Sequence, residues 1–139
     1  MRPVTFLLVE DDEVDIQAMH RAFRRLRLAN EVVVARDGIE GLDALRGNGR
    51  PPLEPPFIVL LDLNMPRMGG IEFLEVIRAD AKLADTVIFV LTTSAEEIDR
   101  VAAYRNHVAG YIVKQDLDGD GLLGAIDMLD RYWRVVALP

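Results

Sequence analysis

The chain has 139 residues, half of them hydrophobic and none of them cysteine, and carries a formal net charge of −7. That length and apolar content suit one domain with its own core and argue against disorder, while the lack of thiols excludes disulfides, thiolate zinc centres and thiol nucleophiles. The acidic balance argues against nucleic acid as a partner, and no apolar run approaches the roughly 20 residues that span a bilayer.

The opening "MRPVTFLLVEDD" reaches acids too soon for a secretory segment, so a cytoplasmic protein is expected. Its apolar part, "TFLLV" (5–9), is predicted as a strand and ends abruptly in Glu10, Asp11, Asp12 and Glu13. A helix follows, with Val14, Ala18, Ala22 and Leu26 on one stripe and Met19 and Phe23 beside it. Its basic run, Arg21 to Leu28, reads as a solvated face. "EVVVA" (31–35) is a second strand, and Ile39 to Arg46 fits a helix. "RGNGRPPLEPPF" (46–57) breaks any helix and reads as an exposed connection. "FIVLL" (57–61), "TVIFVL" (86–91) and "GYIV" (110–113) are further strands, separated by helical patterns from Ile71 to Arg78 and from Glu96 to Arg105. A last helix repeats Leu122, Ile126, Leu129, Trp133 and Val136. The two histidines, His20 and His107, are too few for a histidine metal site.

Five nearly continuous apolar strands alternating with helices imply an α/β fold: one doubly wound, five-stranded parallel sheet with helices on both faces. In such sheets the working site lies beyond the carboxyl ends of the strands. Glu10 and Asp11 follow the first strand, Asp62 the third, Thr92 the fourth and Lys114 the fifth, so four distant stretches converge. Two unit charges 4 Å apart repel by about 4 kcal/mol at an effective dielectric of 20, so crowded carboxylates call for a cation. Oxygen ligands on short side chains suit a hard divalent ion such as Mg²⁺. With Lys114 and Thr92 beside that cation, the patch suits chemistry on a phosphoryl group, Asp62 being able to attack phosphorus and give an acyl phosphate.

"LLVEDD", "LLDLNMPRMGG", "VLTTS" and "GYIVK", in that order along essentially the whole chain, resemble the signature stretches of the receiver domain of two-component response regulators. The resemblance implies a flavodoxin-like receiver fold over residues 1–139, with Asp62 as phosphoacceptor and a sensor histidine kinase as phosphoryl donor. It implies Mg²⁺ held by Asp11 and Asp62 directly, by Glu10 through water and by the backbone carbonyl of Asn64. It also implies Thr92 and Lys114 on the phosphoryl group, Tyr111 as an aromatic switch, and Pro66 and Gly70 in the turn after the acceptor. Asp12 and Glu13 are expected instead to start the helix, where its dipole favours carboxylates. Such a receiver is a stoichiometric acceptor rather than an enzyme, promoting its own phosphorylation and dephosphorylation.

Two positions depart from the family pattern. Gln115 stands where proline usually follows the lysine, and a non-proline cis bond costs about 2.5–4 kcal/mol, so a trans bond and a differently shaped loop are expected. Thr93 stands where a smaller residue is usual. "DLDGDGLLGAID" (116–127) has the spacing of a calcium loop but follows a strand and ends in Asp127 rather than glutamate, so calcium binding is an alternative reading. A non-phosphorylated receiver-like interaction module is another, and a phosphatase is disfavoured because Asn64 cannot serve as general acid. The apolar end, "RYWRVVALP", and the Pro-rich insertion make the chain similar to single-domain regulators that partner bacterial phytochromes. Residues 134–139 are a candidate dimerisation tail, with Trp133, Val135, Val136 and Leu138 the candidates for packing across a homodimer and packing within the domain the alternative.

Overall fold

The computed structural model describes residues 3–116 and 121–139. Strands β1 (Thr5–Val9), β2 (Val32–Ala35), β3 (Phe57–Leu61), β4 (Ile88–Thr92) and β5 (Gly110–Val113) alternate with helices α1 (Glu13–Arg25), α2 (Gly38–Arg46), α3 (Gly70–Ala79), α4 (Glu97–Arg105) and α5 (Gly121–Val135). The strands form one parallel sheet in the order β2-β1-β3-β4-β5. Successive side chains on a strand point to opposite faces, which sorts the core into two layers. Leu7, Val9, Val59 and Leu61 pack under α2, α3 and α4 against Leu42, Phe73, Leu74 and Ile77. Phe6, Leu8, Ile58 and Leu60 pack under α1 and α5 against Ile16, Met19, Phe23, Ile126 and Leu129. Both faces of β1 and β3 are therefore dry, which is why their sequences run apolar without alternation.

Three strands have the bounds expected from their apolar runs, and the other two start later, β2 at Val32 and β4 at Ile88. Helix α1 is rotated from the predicted stripe. Ile16, Met19, Ala22 and Phe23 are buried, while Val14 is 73% exposed. Residues four apart drift by about 40° per step on a 3.6-residue helix, so Val14, Ala18, Ala22 and Leu26 spread over about 120° and cannot share one narrow seam. Asp12 caps α1, its Oδ1 accepting from Val14 N at 2.8 Å and Asp15 N at 3.3 Å. Glu13 lies in the first turn and pairs with Arg36 at 2.8 Å. At the other end of α2, Gly47 adopts φ 79°, a left-handed C-cap that glycine enters without strain. The cis peptide bond among the described residues is Pro55–Pro56, and Lys114–Gln115 is trans, as expected without proline.

The C-terminal residues correct one expectation. Trp133 is only 6% exposed and lies in the same layer as α1 and α5. Its Nε1 donates to Asp130 Oδ1 at 3.1 Å, and the Arg134 guanidinium stacks 4.6 Å over its ring. Leu138 folds back against the same layer, half-buried. The indole is thus committed to the domain's own core, and of the four dimer candidates only Val135 and Val136 stay exposed. Of the calcium-loop spacing (116–127), residues 117–120, with two of its acids, Asp118 and Asp120, lie outside the described residues. Among those described, no helix is long and apolar enough to cross a membrane.

Candidate functional site

The sheet ladder itself places the acids side by side. One residue past β1, Glu10 N donates to Ala35 O at 2.8 Å; one residue past β3, Asp62 N donates to Val9 O at 2.9 Å. The parallel register that pairs Val9 with Leu61 thus delivers Glu10 and Asp62 to adjacent positions at the strand ends. Both are buried, at 2% and 6% exposure, whereas Asp11 is exposed at the rim. One carboxylate oxygen from each of the three lies within 4.8 Å of the others. Gly70 packs against the back of the acceptor position: a Cβ there would sit 2.6 Å from the Asp62 carbonyl oxygen.

Thr92, fully buried at the end of β4, donates from Oγ1 to Asp62 Oδ1 at 2.8 Å. The same hydroxyl accepts a weaker bond from Ser94 N at 3.3 Å. Ser94 is in turn held by Tyr111, whose hydroxyl donates to the Ser94 carbonyl at 2.9 Å, and by Asp99, which accepts from Ser94 Oγ at 2.5 Å. Tyr111 is half-buried, with its hydroxyl pKa raised, burial first. Thus Asp62, Thr92, Ser94 and Tyr111 form one hydrogen-bonded chain. Asn64 lies two residues past Asp62 in the loop toward α3 and is exposed.

Lys114 stands at the same strand ends, yet its ammonium is not on Asp62. It donates to Glu10 Oε1 in a very short contact and to Asp15 Oδ2 at 2.8 Å. Asp15, on the first turn of α1, has no strand-end position to single it out; its role appears only when Lys114 arrives from 99 residues away. Beneath the polar groups a cavity of about 180 Å³ is walled among the described residues by Leu8, Leu60, Leu91 and Met19. In this setting burial pushes the Glu10 carboxyl up to about 7, opposed by the Lys114 hydrogen bond and reinforced by the nearby Asp62 charge. Burial also works against the Lys114 ammonium, but its bonds to Asp15 and Glu10 outweigh that, so its pKa is raised and it stays charged. Gln115 does not continue the strand. Its side-chain amide donates to the Thr93 carbonyl at 2.6 Å, tying the loop after Lys114 to the loop after β4.

One ammonium cannot balance this much negative charge, because Lys114 pairs with Glu10 and Asp15 while Asp11 and Asp62 bring two further carboxylates to the Glu10 cluster. The ligand set is oxygen only and partly open to water at Asp11, which suits a hard divalent cation that keeps part of its hydration. The donor chemistry therefore fits such an ion, with Glu10, Asp11 and Asp62 as the residues able to hold it.

A doubly wound sheet with carboxylates, a hydroxyl and an ammonium gathered at the carboxyl ends of β1, β3, β4 and β5 defines a receiver fold of the flavodoxin-like class. The chain belongs to the response regulator receiver domain family, whose profile matches residues 6–127. It is 32% identical to the response regulator Rcp1 of Synechocystis sp. (strain ATCC 27184 / PCC 6803 / Kazusa) over 99% of this chain and 94% of that protein. The Mn(2+)-bound form of Rcp1 superposes with a TM-score of 0.83, at 30% identity and covering 99% of both chains. The phosphorylated cyanobacterial phytochrome response regulator RcpA gives a TM-score of 0.84 at 32% identity, covering 99% of each chain. The bacteriophytochrome response regulator AtBRR gives 0.75 at 36% identity, over 98% of this chain and 99% of that one.

Proposed function

We propose that this receiver accepts a phosphoryl group on Asp62 from a sensor histidine kinase, in a Mg²⁺-dependent reaction, and passes the signal on through a conformational switch. The observation that carries this reading is the buried Thr92–Asp62 hydrogen bond at the mouth of the three-carboxylate cluster. A lone pair of the Asp62 carboxylate attacks the phosphorus of a phosphohistidine. The P–N bond breaks with its electrons left on the imidazole, and an acyl phosphate forms. Asp11, Asp62 and the Asn64 carbonyl would hold Mg²⁺ directly and Glu10 through water; the ion, when bound, offsets charge on the phosphoryl oxygens. The acidic cluster and the metal-bound form of Rcp1 support that assignment.

Phosphorylation replaces a monoanion by a near-dianion. Thr92 then shifts its hydrogen bond from Asp62 Oδ1 to a phosphoryl oxygen, and Lys114 leaves Glu10 and Asp15 for the same group. Because Ser94 is bonded to Thr92 on one side and to Tyr111 on the other, the shift travels to β5 and the α4–α5 side. The protein is a stoichiometric acceptor rather than an enzyme and acts in the cytoplasm. The likeness to RcpA and AtBRR supports a bacterial phytochrome as the kinase. Residues 1–139 work as a single receiver domain, which pairs as a homodimer with Val135 and Val136 at the contact.

Phosphotransfer from candidate phytochrome kinases to the full chain tests the reading. Transfer that needs Mg²⁺ and stops in Asp62→Asn supports it; transfer surviving that substitution sinks it.

A further inference from the structure

The loop between β3 and α3, residues 64–68, carries the Asn64 carbonyl, and its outer half is fastened to a different part of the sheet. Among the described residues, two hydrogen bonds reach it from beyond the adjoining β3 and α3 residues. Gly38 N donates to Met68 O at 3.0 Å, and Arg67 Nε donates to Asp37 Oδ2 at 2.5 Å. Asp37 is not a casual surface partner. Its side chain is 5% exposed, and its other oxygen caps α2 by accepting from Glu40 N at 2.9 Å. Arg67 meanwhile adopts φ 61°, a left-handed conformation that an arginine rarely enters without compensation. The two loops also touch closely, since a Cβ on Gly38 would fall 2.6 Å from Met68 Cγ. A strained backbone, a buried carboxylate and a glycine-dependent approach meet at one point.

We infer that the Arg67–Asp37 pair is a positioning device: it holds the β3–α3 loop against the β2–α2 loop so that the Asn64 carbonyl stays aimed at the cation. This rests on the metal-site reading above. Neither residue touches the cation or the reacting atoms; each acts through the loop. The logic separates cleanly from simple charge. Removing the Arg67 guanidinium takes a positive charge from the neighbourhood of a cation site, which by Coulomb attraction alone would tighten Mg²⁺ binding. Weaker binding after that change can only reflect lost aim.

The test is Mg²⁺ binding to the full chain by titration calorimetry, with hydrogen exchange at residues 64–68 as a readout independent of phosphorylation. Arg67→Ala should weaken Mg²⁺ binding about tenfold, the low end of what groups that orient metal ligands contribute, and should speed exchange in the loop. Arg67→Gly accepts the backbone angle without strain but lacks the tether, so it should weaken binding equally. Arg67→Lys should recover part of the loss. Unchanged or tighter binding in Arg67→Ala or Arg67→Gly overturns the inference, even if thermal stability falls. Wild-type chain that binds Mg²⁺ no better than Asp11→Asn overturns the metal site itself, and the tether with it.

Discussion

Lys114 and the cation neutralise the same carboxylates, and Lys114→Met tests that directly. The Lys114 side chain is 17% exposed and that of Glu10 3%, so this is close to a buried ion pair. Leaving a buried charge without its partner costs about 3–5 kcal/mol, and Glu10, already lifted to about 7 beside Lys114, limits that cost by taking up a proton once the ammonium is gone. Asp15 is 37% exposed and can rehydrate, which favours the lower end, about 3 kcal/mol. At about 3–5 °C per kcal/mol for a chain of this size, the melting temperature in EDTA should fall by about 10–15 °C. The three remaining carboxylates, with oxygens within 4.8 Å, repel by at least about 3 kcal/mol per charged pair at an effective dielectric of 20. Mg²⁺ should therefore bind the variant more tightly than wild type. Tenfold tighter binding adds about 1.4 kcal/mol at saturating ion, or about 5 °C more Mg²⁺-induced stabilisation. Melts followed by far-ultraviolet circular dichroism, with EDTA and with Mg²⁺, give all four values. The same Mg²⁺-induced rise in both proteins would refute the reasoning, because ammonium and ion would then not share a charge.

Other outcomes follow from single contacts. Gly70→Ala forces a methyl to 2.6 Å from the Asp62 carbonyl and should cost about 1–3 kcal/mol in denaturant melts; Gly124→Ala, in α5 with nothing within 4 Å of its new Cβ, should stabilise by up to about 1 kcal/mol. Asp37 has its carboxyl pKa lowered below 3.8, burial being outweighed by the Glu40 amide and Arg67. Its contribution is thus full above pH 3.8 and lost as pH falls through the lower folded value, so Asp37→Asn should show a shallower loss of stability in acid melts below about pH 4. Trp133→Ala should cost about 3–5 kcal/mol in denaturant melts, as expected of a core aromatic. Val135→Asp, at an 84% exposed position, should leave the fold intact and lower the solution mass to that of a monomer in light scattering.

Much of the fold was legible because the inner strands are buried on both faces, so "TFLLV" and "FIVLL" had to be continuous apolar runs. The strand-end rule then located Glu10, Asp62, Thr92 and Lys114 without any side-chain geometry. What sequence could not supply was orientation. The seam of α1 is set by which residues meet Phe6 and Leu8, and four-residue spacing alone chose Val14 in place of Ile16. Asp15 is one acid among several in "EDDEVD" until Lys114 reaches it. Arg67 and Asp37 lie 30 residues apart in loops whose approach depends on Gly38 and Met68. Trp133 shares the apolar stripe of α5 with Ile126 and Leu129, and spacing alone did not say whether its indole meets its own core or a second copy.

The central claim is that Asp62 accepts the phosphoryl group with Mg²⁺ beside it. Intact mass spectrometry after exposure to a small-molecule phosphoryl donor tests it without any partner. Wild-type protein should gain the mass of a single phosphoryl group with Mg²⁺ and none with EDTA, and Asp62→Asn should gain none in either. A phosphoryl group that appears on Asp62→Asn, or on wild type regardless of Mg²⁺, would contradict the account.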